Sequence, residues 1–364
     1  MSDTLFSPLS IRGLDLPNRI VMAPMTRSFS PHGIPGEDVA AYYGRRAENH
    51  VGLILTEGTL IDRPGSGNDA NVPKFYDEKA LSGWQAVRET VHAKGGKIAP
   101  QFWHIGMVRK PGTGHHPDAI SDSPSGITHT GKSVMPAPSD EEVADMVQSY
   151  ARAAGEAKSL GFDAIEIHGA HGYLIDQFFW EVMNKREDKY GGGLADRANF
   201  ASDIIRECRN AVGYDMPIIL RFSQWKQQDY KARLAESPQA LEAFLGVFAD
   251  AGVDVLHCSQ RRFWEPEFEG SDLNLAGWAK KLTGLATITV GSVGLSSDFF
   301  GAFQGQGSET ASLDRLFERL ERGEFDLVAV GRALLQDSEW ASKVKAGRFA
   351  DLMDYDAAAL KTLY

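Results

Sequence analysis

The stretch LGFDAIEIHG, residues 160–169, decides how this chain folds. A glycine closes a helical pattern, a near-continuous apolar run follows, and the run ends on a polar side chain. The same cadence returns in AGVDVLHCSQ (251–260) and RGEFDLVAVGR (322–332). Upstream of the first, EEVADMVQSYARAAGEAKSLG (141–161) has helical spacing, and Ser139 with Glu142 predicts a capping box. Upstream of the second, SPQALEAFLGVFADAG (237–252) places Ser237 as N-cap, Pro238 in the first turn and Gly252 at the end. Stretches 78–95, 194–213 and 312–323 behave likewise.

Further apolar runs complete the series: RIVMAP (19–24), VGLILTEG (51–58), KIAPQFWH (97–104), PIILRFS (217–223) and ATITVGSVG (286–294). They are continuously apolar rather than alternating, as parallel strands covered on both faces are. Eight strand–helix units predict an α/β fold, a single (β/α)8 TIM barrel spanning 1–364. The rival is an open doubly wound sheet, but no Gly-x-Gly-x-x-Gly follows the first run. One connection is far too long: residues 105–140, rich in Gly, Pro and Ser, are expected to form a lid or hairpin insertion after the third strand.

Composition narrows the classes. The formal charge of −11 argues against nucleic-acid binding. Two cysteines, Cys208 and Cys258, exclude a four-cysteine iron–sulfur cluster within the chain and suggest no disulfide framework. There is no apolar run long enough to span a bilayer and no signal-like start, so a cytoplasmic protein with no membrane partner is expected.

Barrel enzymes carry their chemistry at the C-terminal ends of strands. Here those ends hold Pro24, Met25 and Thr26, then Glu57 and Gly58, Gln101 to His104, His168, Arg221, His257, Gly291 with Ser292, and Gly331 with Arg332. The last two pairs follow strands seven and eight, where barrel phosphate sites are commonly built; the plain alternative is that these glycines only make turns. His168 and His171 have three readings. They could ligate metal, but a catalytic zinc needs three protein ligands and no third is evident. They could be core residues. Or they could be neutral donors that hold a substrate oxygen, with Tyr173 beyond them as proton donor.

On these residues the sequence resembles the Old Yellow Enzyme family of FMN-dependent ene reductases. The likeness runs from LFSPLSIRGLDLPNRIVMAPMTR (5–27) through QFWHIG (101–106), IHGAHGYLIDQFF (167–179) and ILRFS (219–223) to TVGSVG (289–294) and VAVGRALLQDSEW (328–340). HGAHGYL together with N-x-R-x-D-x-Y-G-G (184–192) is the specific part. The resemblance implies bound FMN as cofactor and NADPH or NADH as hydride donor. It implies that Pro24, Met25 and Thr26 lie beneath the isoalloxazine, that Gly58 approaches it through backbone, and that Gln101 bonds its pyrimidine edge. Arg221 would sit by N1 and O2, where a cation favours the reduced ring. Gly291, Ser292, Gly331 and Arg332 would hold the phosphate, and Trp103 would wall the substrate pocket. The implied reaction is ping-pong: an α,β-unsaturated carbonyl or nitro compound, held by His168 and His171, takes hydride from flavin N5 and a proton from Tyr173. The partner is then a small molecule and the enzyme a monomer or homodimer. No metal is expected.

The segment RRFWEPEFEG (261–270) departs from that pattern. Phe263 and Trp264 are candidate substrate-binding residues, and the nearby glutamates would suit a cation. That supports an alternative, oxidative N-demethylation of a small betaine or amine; the plain reading is a solvated loop. A non-catalytic barrel and a metal-dependent hydrolase are the remaining rivals.

Overall fold

The computed structural model describes residues 3–298, 301 and 305–364. An antiparallel hairpin comes first, β1 (Leu9–Ile11) and β2 (Leu14–Leu16). Its two-residue turn, Arg12 and Gly13, has positive φ at both positions, the geometry that matches strand twist in a tight hairpin. Then follow β3 (Ile20–Met22), β4 (Leu53–Leu60), β5 (Lys97–Trp103), β6 (Ile165–His171), β7 (Ile218–Lys226), β8 (Val255–Ser259), β9 (Ala286–Val290) and β10 (Leu327–Val330). These eight are parallel and close into a barrel, with β10 pairing β3. The expected TIM barrel is therefore the fold.

Helices α1 (Glu37–Glu48), α2 (Glu78–Ala93), α3 (Asp140–Leu160), α4 (Leu174–Phe179), α5 (Leu194–Arg197), α6 (Asn199–Val212), α7 (Pro238–Ala251) and α8 (Leu275–Thr283) lie between strands, and a further helix, Asp314–Glu321, precedes β10. The capping box of Ser139 and Glu142 starts α3, and Gly161 ends it in the left-handed conformation. Ser237 caps α7 with Pro238 in its first turn, and Gly252 closes it. The expected helix 194–213 is two, broken at Ala198. Strands β4, β6 and β7 are buried along their whole lengths, which is why their sequences do not alternate.

Inside the barrel the alternation is one of height. Val21, Leu53, Ala99, Ala164, Ile219, Val255, Ile288 and Leu327 pack together at the N-terminal end, and Leu14 and Leu16 of the hairpin plug them from below. Two residues further along the same strands come Gln101, Glu166, Arg221 and His257. A strand returns to the same face every second residue, so the apolar plug and the polar layer above it share one face. The site is thus built on a dry floor.

Residues 105–140 hold an isolated antiparallel bridge, Ile127 to Ser133, around a turn. Arg109 organises the earlier part by donating to the carbonyls of Thr113, His116, Pro117 and Ala119. No described helix is long and apolar enough to cross a membrane.

Candidate active site

A cavity of about 470 Å³ opens at the C-terminal end of the barrel. Pro24, Met25, Thr26, Gly58, Gln101, Trp103, His168, His171, Tyr173, Arg221, Gly291, Ser292, Gly331 and Arg332 all line it. No residue of 105–140 does, although Ile105 and Val108 line a smaller adjoining recess of about 140 Å³.

His168 and His171 are three apart, so a regular strand would point them to opposite faces. The β6–β7 register shifts between Gly169 and His171, and His171 takes φ +66°. This irregularity turns both rings into the cavity, their centroids 5.0 Å apart and perpendicular. His171 N donates to Ser223 Oγ at 3.0 Å, and its ring stacks on Trp225 at 4.7 Å. Its Nε2 lies 2.7 Å from Ser259 Oγ, and that oxygen accepts from Arg221 Nη2 at 3.3 Å. Tyr173 stands at the N-cap position of α4, edge-on to His168 at 5.2 Å and to Trp103 at 5.1 Å. Its hydroxyl donates to Gln227 Oε1 at 3.4 Å.

The electrostatics suit donors. Burial, helped by the Arg221 charge, holds both His168 and His171 well below the usual histidine value, so each is a neutral imidazole near pH 7. Burial also raises the Tyr173 pKa and keeps its phenol protonated. Among the described residues no group of three or more histidine, cysteine or carboxylate side chains is placed to hold a metal ion.

The floor tests whether a flavin fits. Arg221 is buried, donates only to Ser259 among the described residues, and leaves Nε without a partner. A cation so placed asks for an electron-rich group from outside the chain. Gln101 lines the same floor with its Oε1 unbonded to described residues. Beside them Gly331 leaves open space: a Cβ there would meet only Met25 Sδ at 3.6 Å and Ala23 Cβ at 3.8 Å. These features fit a planar, hydrogen-bonding ring. At the far end Gly291 (φ +138°) and Ser292 (φ +52°) make a tight turn. A Cβ at Gly291 would lie 2.7 Å from Gln260 O. Arg332 donates to the carbonyls of Asp298, at 2.9 Å, and Ser297, so both terminal nitrogens are engaged with the loop. Its charge borders the turn, with one N–H of each terminal nitrogen committed to the loop. Gly58 is explained mainly by Trp103, whose Cε3 would stand 2.8 Å from a Cβ.

Two expected residues lie elsewhere. Phe263 is 3% exposed and packs in the hydrophobic core edge-on to Trp264, and neither lines the cavity. Asn274 Nδ2 donates to Phe263 O and holds the segment down. Glu265 pairs with Arg262, and Glu267 with Arg233 and Gln224. The aromatic, acidic cage for a cation is therefore not assembled there. The plain reading holds in part: Pro266, Glu269 and Gly270 are exposed, whereas Phe263 and Phe268 are buried.

Lining residues absent from the sequence reading include Ser259, Trp225, Gln227, Tyr355 and Leu360. Ser259 was within reach, for it follows His257 by two on the same strand face. Tyr355 and Leu360 arrive from a segment far along the chain, for which no local signal exists.

The family model described as NADH:flavin oxidoreductase / NADH oxidase matches residues 4–351. The NADH oxidase of Thermoanaerobacter brockii is 35% identical over 353 residues, covering 94% of this chain and 51% of that one, so the chain spans about half the length of that relative. The 12-oxophytodienoate reductase 7 of Oryza sativa subsp. japonica is 32% identical over 364 residues, covering 94% and 87%. Among solved structures, morphinone reductase in complex with tetrahydroNAD is 27% identical with a TM-score of 0.78, covering 98% of this chain and 93% of that one.

Proposed function

Because the chain belongs to the NADH:flavin oxidoreductase / NADH oxidase family, that of Old Yellow Enzyme, we propose that it reduces activated C=C bonds of α,β-unsaturated carbonyl or nitro compounds. The observation that carries this reading is the convergence of His168, His171 and Tyr173 on one cavity whose floor holds Arg221. Thr26, Gly58, Gln101 and Arg221 would hold the ring of FMN, and Gly291, Ser292, Gly331 and Arg332 would border its phosphate. When bound, FMN would supply the hydride chemistry, with NADH or NADPH as the source of the hydride.

The chain's own residues do the rest. His168 and His171 donate N–H to the substrate oxygen and draw electron density from the β-carbon. Neutral imidazoles suit this task, since they stabilise a developing oxyanion without giving up their protons near pH 7. Tyr173 holds the proton that the α-carbon requires. Trp103 and Tyr173 form an apolar wall that keeps water from the reacting carbons. Hydride donor and substrate meet the same cavity, so the two half reactions alternate.

The test is spectroscopic. Purified protein loaded with FMN is expected to be yellow, to bleach anaerobically on NADPH or NADH, and to recover colour on 2-cyclohexenone. Bleaching of the oxidised protein by a betaine or amine, with no recovery on the enone, would replace this reading by demethylation. Failure to take up FMN would end both.

A further inference from the structure

Within the polar layer of the barrel, a carboxylate with no exposed surface stands between two neutral groups. Gln101 Nε2 donates to Glu166 Oε1 at 2.7 Å, and His257 Nδ1 lies 2.6 Å from Glu166 Oε2. The Glu166 and His257 side chains are fully buried, whereas Gln101 borders the cavity. Gln101 and Glu166 are direct partners across β5 and β6, and His257 pairs with Arg221 across β7 and β8.

We propose that Glu166 is a positioning residue for the cofactor: by taking the amide N–H of Gln101 it dictates that Gln101 faces the cavity with its carbonyl oxygen, and so selects a ring that offers an imide N–H. This rests on the flavin reading above. A primary amide has a donor end and an acceptor end of nearly the same shape, and its bonding partner alone decides which way it lies. An ionised carboxylate can only accept. Nε2 must therefore point at Glu166, and Oε1 is left as the end that makes no bond to described residues. The flavin pyrimidine edge carries one imide N–H, at N3, which an acceptor there would receive.

His257 secures the arrangement. Burial holds it below the usual histidine value, so it is neutral and carries a single N–H. Glu166 draws that proton to Nδ1, and His257 Nε2 is buried without a partner, as befits a bare lone pair rather than an orphaned donor. The other oxygen of Glu166 is thus occupied, and the carboxylate cannot turn away from Gln101. The same charge opposes that of Arg221, whose pKa it raises against the larger effect of burial. Glu166 therefore moderates the cation that favours the reduced ring.

The experiment uses the FMN-loaded protein with 15N at flavin N3, in wild type and Glu166→Gln. In wild type the N3 proton is expected to be sharp, downfield and protected from exchange. In the variant the amide at 166 offers Gln101 a donor as well as an acceptor, so the orientation of Gln101 is no longer fixed; that protection falls and FMN binds up to about tenfold more weakly, the scale of one net hydrogen bond. The midpoint potential of the bound flavin moves positive, because one negative charge near it has gone. A part played only in folding would lower the melting temperature and leave both the N3 signal and the potential in place; that outcome overturns the proposal. Should Glu166→Gln prove insoluble, the wild-type spectrum still decides, since a freely exchanging N3 proton on bound FMN overturns it. A wild-type protein that takes up no FMN would defeat the flavin reading itself and this inference with it.

Discussion

At the scale of residues, three side chains from one turn of chain do different work because their surroundings differ. His168 and His171 are neutralised by burial beside Arg221, while Tyr173 is kept protonated by burial alone in the main. Replacing Tyr173 by Phe removes the proposed proton donor and leaves the aromatic ring. Flavin reduction by NAD(P)H is expected within about twofold of wild type, and enone reduction slower by about 10²–10⁴-fold, the usual worth of a positioned acid. Stopped-flow measurement of the two half reactions separates them; equal slowing of both would remove Tyr173 from its role. The histidine pair should add no ionisation to the oxidative half reaction near neutrality, since both stay neutral there.

At the scale of elements, β4 shows how a local irregularity is held. Its register shifts between Leu55 and Gly58, and the intervening Glu57 is buried. Glu57 Oε2 accepts from the backbone N–H groups of Arg27 at 2.8 Å and Ser28 at 3.1 Å, so it pins the loop that carries Thr26. Burial raises its pKa from the ordinary 4.5 to about 7. The folded protein thus keeps this proton through a range where the unfolded chain has lost it. The stabilising contribution is full below pH 4.5 and drains away as pH rises to about 7. Glu57→Gln is neutral at every pH. Wild type should lose stability against this variant by up to roughly 3 kcal/mol across that window, with no further change above it. Urea unfolding of both proteins at a series of pH values checks this; a constant difference would show that Glu57 is not buried as an acid.

At the scale of the whole molecule, the hairpin closes the floor on which the polar layer rests. Leu16 is 2% exposed and packs with the inward residues of the strands. Leu16→Ala should lower unfolding stability by about 2–5 kcal/mol through the lost burial and the cavity left behind. FMN-binding stoichiometry at low temperature should be unchanged, because the plug lies beneath the polar layer; denaturant unfolding and a flavin titration together test both halves.

Much of this was legible in the chain. Glycine, apolar run and polar end, repeated, follow from strands covered on both faces and helices that must stop before them, so the barrel and the residues at its rim could be read from period and punctuation alone. What the tertiary structure decided was direction and partnership. Period two puts His168 and His171 on opposite faces, and only the bulge at the end of β6 brings them together. Phe263 and Trp264 look like pocket aromatics beside acidic neighbours, yet they pack elsewhere because their loop is tied down by Asn274. Glu166 sits in an apolar run as an anomaly, and its partners Gln101 and His257 are 65 and 91 residues away. A sequence specifies which groups a strand carries at its end; which of them meet depends on closure of the barrel, where every strand becomes the neighbour of another and a buried charge must find its partner across the ring.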